Sequence, residues 1–166
     1  MSSSFASKLW LVVALFVQTA FAPELTVHGV LPSFVIIVVV LYALRVGARS
    51  AVLLGALAGI LTDAIAGTGG GWTIAYIIVA VGSGALRARF FADGIVLPSV
   101  AVAGAVLVRN TIFWIVMTAE GFPRGYGQLH LHQAIEQALF TGAAAVIVQF
   151  VRSRFSEPTD RIQRYA

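Results

Sequence analysis

Two opposite charges, Arg109 and Glu136, sit deep inside long uncharged stretches of the chain. Ionisable side chains in such surroundings either serve a function or hold one another. Either charge alone against lipid costs at least about 2.5 kcal/mol on insertion scales, so the sequence predicts that they pair. Arg109 lies about ten residues from the end of its stretch and Glu136 about six from the end of its own. At 1.5 Å per helical residue their depths differ by about 6 Å, within reach of an arginine side chain. Asn110, the chain's single asparagine, stands beside the arginine, and His130, Gln133, Glu136 and Gln137 extend a polar face along the last stretch. This face has two readings. It lines a small outward-facing cavity, or it is a buried strut that fixes the helices, which is the commoner use of such groups.

A second constellation is built from small residues. Gly47, Ala51, Gly55, Gly59 and Asp63 recur at intervals of four, which places them on one slowly drifting face of a helix. Small side chains let a second backbone approach closely, the way helices associate in lipid. The stripe either packs against another helix of the same bundle or serves as the interface for a partner protein's helix. Asp63, about four residues from a boundary, is either a proton or substrate ligand or an interfacial group accepting from the N–H groups of the glycine-rich turn that follows.

Other signals carry less. Gly67-Thr68-Gly69-Gly70-Gly71 lacks the Gly-Lys-Ser/Thr ending of a phosphate loop and reads as a tight turn. His130 and His132, two apart, point about 200° away from each other on a helix and make poor co-ligands for a metal. No cysteine is present, which excludes a disulfide framework and a thiolate nucleophile. No catalytic, cofactor-binding or metal-ligating set emerges, and the sequence predicts a protein that is not an enzyme and needs no cofactor.

The elements that position these residues follow from composition. Of 166 residues, 59% are hydrophobic and 11% charged, with a mean hydropathy of +0.92. Soluble domains carry about 25% charged residues, so this chain lacks the material for a wetted surface. It is also too apolar for a disordered chain. The expectation is an all-α integral membrane protein. At about 20 residues per crossing, six spans use about 120 residues and leave no room for a soluble domain. Reading from charge to charge places the spans near 6–23, 31–45, 48–65, 72–86, 95–118 and 130–151. They form one transmembrane domain over 1–151, followed by a basic tail over 152–166. Ala20-Phe21-Ala22 imitates a signal cleavage site, but Pro23 follows it and argues for retention of the first span.

Loop charges set the orientation. Lys8, Arg45, Arg49, Arg87, Arg89, Arg152, Arg154, Arg161 and Arg164 fall on one side, which is nine of the eleven basic residues. Arg124 alone lies in a loop on the other side. The positive-inside rule makes the nine-residue side cytoplasmic, with both termini inward. Trp10, Trp72 and Trp114 stand at or near span ends, as interfacial belts require. The basic residues are scattered between spans and form no nucleic-acid patch, so no nucleic-acid partner is expected. The basic tail suits anionic lipid.

The stretch from Pro32 to Tyr76 resembles the bacterial rod shape-determining protein MreD family. The matching residues are Pro32 opening the second span, Arg45 with Gly47, then Gly55, Gly59 and Asp63, the Gly67 and Gly70-Gly71 turn, and Tyr76 in the next span. Many members carry Asp after the proline, where this chain has Ser33. The resemblance implies a multi-pass protein of the bacterial cytoplasmic (inner) membrane that acts as a noncatalytic scaffold or adaptor of cell elongation and peptidoglycan synthesis. Its implied partner is an MreC-like bitopic protein, and through that MreB, RodA and a penicillin-binding transpeptidase. The fold it implies is similar to the substrate-binding subunits of energy-coupling-factor transporters, so a vitamin-type substrate-binding subunit is the alternative function. Those subunits usually carry Ala-x-x-x-Ala in the first helix, a spacing that Ala14, Ala20 and Ala22 do not provide.

Overall fold

A computed structural model describes residues 3–20, 30–88, 94–121, 125 and 127–155. The Ala20-Phe21-Ala22 pattern beyond Ala20, Pro23, His28, Arg89, Arg124 and the tail beyond residue 155 lie outside the described residues. Among the described residues six α-helices follow in order: α1 (Ser3–Ala20), α2 (Phe34–Val46), α3 (Ala48–Ala66), α4 (Gly71–Ala85), α5 (Val96–Ala119) and α6 (Gly127–Phe155), with one 3₁₀ turn at Leu86–Ala88. Three segments, Ala48–Ala66, Val96–Ala119 and Gly127–Arg154, are long and apolar enough to cross a membrane. Leu9–Ala20, Phe34–Val46 and Gly71–Ala85 are shorter apolar helices.

The helix ends follow from local chemistry. Pro32 precedes α2, where its fixed φ and missing N–H suit a helix start. Gly47 joins α2 to α3 with φ +86°, its N–H returning to the Ala43 carbonyl at 2.9 Å. Gly67 ends α3 in the left-handed region at φ +68°, donating to the Asp63 carbonyl. A side chain at either position would be strained, so glycine is what allows the chain to reverse there. The last helix runs to Phe155, three residues past the start of the predicted tail. Arg152 and Arg154 therefore stand on helix, with the Arg154 guanidinium 5.3 Å from the Phe150 ring centre.

Successive helices lie antiparallel where they touch. The end of α1 meets the start of α2, where Val35 N–H donates to Gln18 Oε1 at 3.4 Å. Between α3 and α4, Gly59 lies beside Thr73 while Ala48 lies beside Gly84. Between α5 and α6, Gly127 faces Trp114 and Gly142 faces Ala103. The starts of α2, α4 and α6 and the ends of α3 and α5 thus share one end of the bundle. Arg45, Arg49 and Arg87 lie at the other, called the basic end below. Helix α2 is central: Val35, Ile36, Val39, Val40 and Ala43 are buried with Leu11, Ala51, Leu54, Tyr76, Val102 and Val106 in one core. Outward-facing side chains are large and apolar, including Trp10, Phe16, Leu53 and Val96, each more than 60% exposed. An exterior of this kind matches a lipid surround rather than water.

Candidate functional site

Arg109 is the hub of the polar residues. It lies on α5, is 3% exposed, and spreads its guanidinium over four neutral acceptors. Nη1 donates to Ser33 Oγ at 2.8 Å and to Tyr76 Oη at 3.1 Å. Nη2 donates to Gln137 Oε1 at 2.5 Å and to Asn110 Oδ1 at 3.3 Å. The rings of Trp72 and Tyr76 also face the cation, with centres 5.0 and 5.6 Å from Cζ. Nε is buried without a partner. The residue that caps the start of α2 and side chains of α4, α5 and α6 each contribute a hydrogen-bond or ring contact to this group.

A second tier of bonds holds the acceptors. Asn110 Nδ2 donates to Gln137 Oε1 at 3.0 Å, and Gln137 Nε2 donates to the Leu31 carbonyl at 2.8 Å. Ser33 N–H donates to Thr141 Oγ1 at 3.0 Å, and both residues are fully buried. The chain entering α2 is thereby tied to α6 at two points. His130 Nε2 lies 3.0 Å from the Asn110 carbonyl, which can only accept, so that nitrogen carries the proton.

The predicted pair of Arg109 with Glu136 is not formed. Glu136 instead meets His132 at 3.3 Å on an outer edge of α6, where the two side chains are 31% and 73% exposed. Helical phase explains the difference. His130, Gln137 and Thr141 share the inward face of α6, and Glu136 is turned about 100° from Gln137. The α6 residue that meets Arg109 is the neighbouring amide, Gln137. Of the predicted supporting face, Asn110 and Gln137 join the hub, whereas Gln133 is exposed. His130 and His132 fall on different faces, as their spacing predicts.

Of its two readings, the small-residue stripe takes the internal one, and the partner-helix interface proposed for Gly47, Ala51, Gly55, Gly59 and Asp63 is filled from within. A Cβ on Gly55 would stand 2.7 Å from Ala80 Cβ and 2.8 Å from the Tyr76 carbonyl oxygen. One on Gly59 would run into the backbone of Thr73 and stand 3.0 Å from the Trp72 carbonyl oxygen. Gly84 on α4 reciprocates against Gly47 and Ala48. With Ala51 buried as well, α4 occupies the groove that a partner backbone would enter.

Asp63 closes the same seam by capping. It is 8% exposed. Oδ1 accepts from Thr68 Oγ1 at 2.5 Å and from Trp72 N–H at 3.1 Å, and Oδ2 accepts from Thr73 N–H at 2.8 Å and Thr73 Oγ1 at 2.6 Å. The carboxylate thus meets the free N–H groups in the first turn of α4, where negative charge is favoured. Of the two readings of Asp63, this geometry is the interfacial one.

Above the hub, at the end away from the basic end, lies a cavity of about 310 Å³. Trp72 and Phe113 line it with Asn110, His130, Gln133 and Gln137. The Trp72 and Phe113 rings are stacked, with centres 3.8 Å apart and planes 11° from parallel. His130 lies 5.4 Å from Trp114 and 6.2 Å from Phe113, centre to centre. Amide and imidazole groups beside aromatic walls can bind and orient a small molecule.

Sequence reasoning missed Ser33, Tyr76 and Thr141 as hub residues, and Thr68 and Thr73 as partners of Asp63. Short hydroxyl side chains carry no periodic signal. The usable clue was Ser33 itself, a polar residue placed directly between Pro32 and an apolar run. Comparison with protein-family models, curated proteins and solved structures gives no match for this chain.

Proposed function

We propose that the chain is a noncatalytic, six-span adaptor of the bacterial cytoplasmic membrane that belongs with the cell-elongation machinery and contacts an MreC-like single-span protein. The observation that carries this reading is where the MreD-like residues fall. Pro32 opens α2, Gly55 and Gly59 seat α4, Asp63 caps α4, and Tyr76 holds Arg109. The resemblance therefore covers one interlocked unit of α2, α3 and α4 rather than scattered glycines. The apolar exterior supports contact through the bilayer, and the residue pattern supports both termini on the cytoplasmic side. With the stripe occupied by α4, the partner is expected on another face.

The test is to coexpress the chain with the MreC-like protein of the same cell and purify it through a tag on the chain. A stoichiometric single-span partner retained through detergent extraction is the expected result. Its absence from both detergent and nanodisc preparations would contradict the adaptor.

The cavity favours a second reading, a membrane subunit that binds a small molecule from outside. Mass spectrometry of the purified protein separates the two, because a retained vitamin-sized molecule in place of a protein partner would favour transport.

A further inference from the structure

We infer that the cavity beside Trp72 and Phe113 is a binding site for a small anion attached to an apolar body, attracted by the uncompensated charge of Arg109. Arginine does not deprotonate in proteins, so a full positive charge is buried here. Its four acceptors are all neutral. Among the described residues no carboxylate lies within 4.0 Å of it: Glu136 is engaged with His132, and Asp63 with Thr68, Trp72 and Thr73. Neutral dipoles meet the two Nη groups but leave Nε unpartnered and the charge uncancelled, and a buried charge without an opposite one is costly.

The guanidinium stands one layer behind the cavity wall, in contact with three of its lining residues, Trp72, Asn110 and Gln137. In a partly buried setting one charge acts strongly across that layer. The amide N–H groups of Asn110 and Gln137 each have a second hydrogen beyond the bonds described, which supplies donors to an anion at the wall. Trp72 and Phe113 supply apolar surface for the rest of the ligand. A volume of about 310 Å³ restricts that ligand to the size of a small aromatic acid or a single lipid headgroup. The inference depends on neither functional reading: an adaptor and a transport subunit could both carry the site, and partner retention does not test it.

The experiment is calorimetric titration of the purified full chain with 2-naphthoate and with its uncharged analogue 2-naphthamide. The acid is expected to bind at least ten-fold more tightly. Equal binding, or none, would overturn the proposal. Because Arg109→Gln can disturb the fold, Ser33→Asp is the second variant. Ser33 Oγ already lies 2.8 Å from Nη1, so aspartate there supplies an internal counter-charge. It is expected to cut naphthoate affinity at least ten-fold while the thermal midpoint of the empty protein stays level or rises. Undiminished affinity in a folded Ser33→Asp protein would also overturn it. Dihexanoyl phosphatidylglycerol, with dihexanoyl phosphatidylcholine as control, then assigns the source. Selective displacement of naphthoate by the glycerol lipid means a headgroup, its failure to displace means a free acid, and both uphold the anion site.

Discussion

Along the α3–α4 seam, Gly55 and Gly59 bring backbone against backbone, whereas Arg109, Asn110 and Gln137 join α5 to α6 through their side chains. The first contact leaves no space for a Cβ; the second is built from long side chains joined by hydrogen bonds. Apolar burial against lipid gives little net attraction, so close approach and satisfied hydrogen bonds are the two means left for holding helices together. This molecule uses both, and α4 takes part in each. The glycine seam is a fixed part, and the polar hub, which borders the cavity, is where a ligand could act on packing.

The sharpest way to break that contrast is to add a single methyl group to the seam. Gly59→Ala places Cβ against the backbone of Thr73, which cannot rotate away. We expect a loss of about 3 kcal/mol, at the upper end of overpacking costs, read by denaturation in detergent micelles. Full stability would mean that the α3–α4 seam is looser than described. Asp63→Ala should come next, with a loss of about 2 kcal/mol, because the donors of Thr68, Trp72 and Thr73 lose their acceptor. Protease accessibility near residues 67–72 should rise in parallel. Gly82→Ala sharpens the comparison from the other side. That glycine is on α4 too, yet a Cβ there meets nothing within 4 Å. A change of less than about 1 kcal/mol, in the stabilising direction, is expected from helix propensity alone.

Much of the helical layout was legible in the sequence. The expected spans agree with the helices within a few residues because charge and apolar runs mark both ends. The exceptions are informative. Helix α6 continues past Arg152 because arginine is a good helix former and its long stem carries the charge away from apolar surroundings. The pairing of Arg109 was misread because depth along two helices says nothing of their rotation about their own axes. That rotation is set by packing, which here turns Gln137 inward and leaves Glu136 at the edge. The glycine stripe was legible as a contact face, but sequence alone did not say whether the groove would be filled from within or by a partner. Ser33, Thr68, Thr73 and Thr141 act through single hydroxyls whose roles exist only once distant segments meet.

The central claim is that neutral side chains on the inward faces, and not Glu136, hold Arg109. Two double-mutant cycles test it directly, one pairing Arg109→Met with Gln137→Leu and the other pairing it with Glu136→Gln. The account predicts a coupling of about 1–2 kcal/mol for the Gln137 cycle and additivity within about 0.5 kcal/mol for the Glu136 cycle. Strong coupling to Glu136 with none to Gln137 would contradict it.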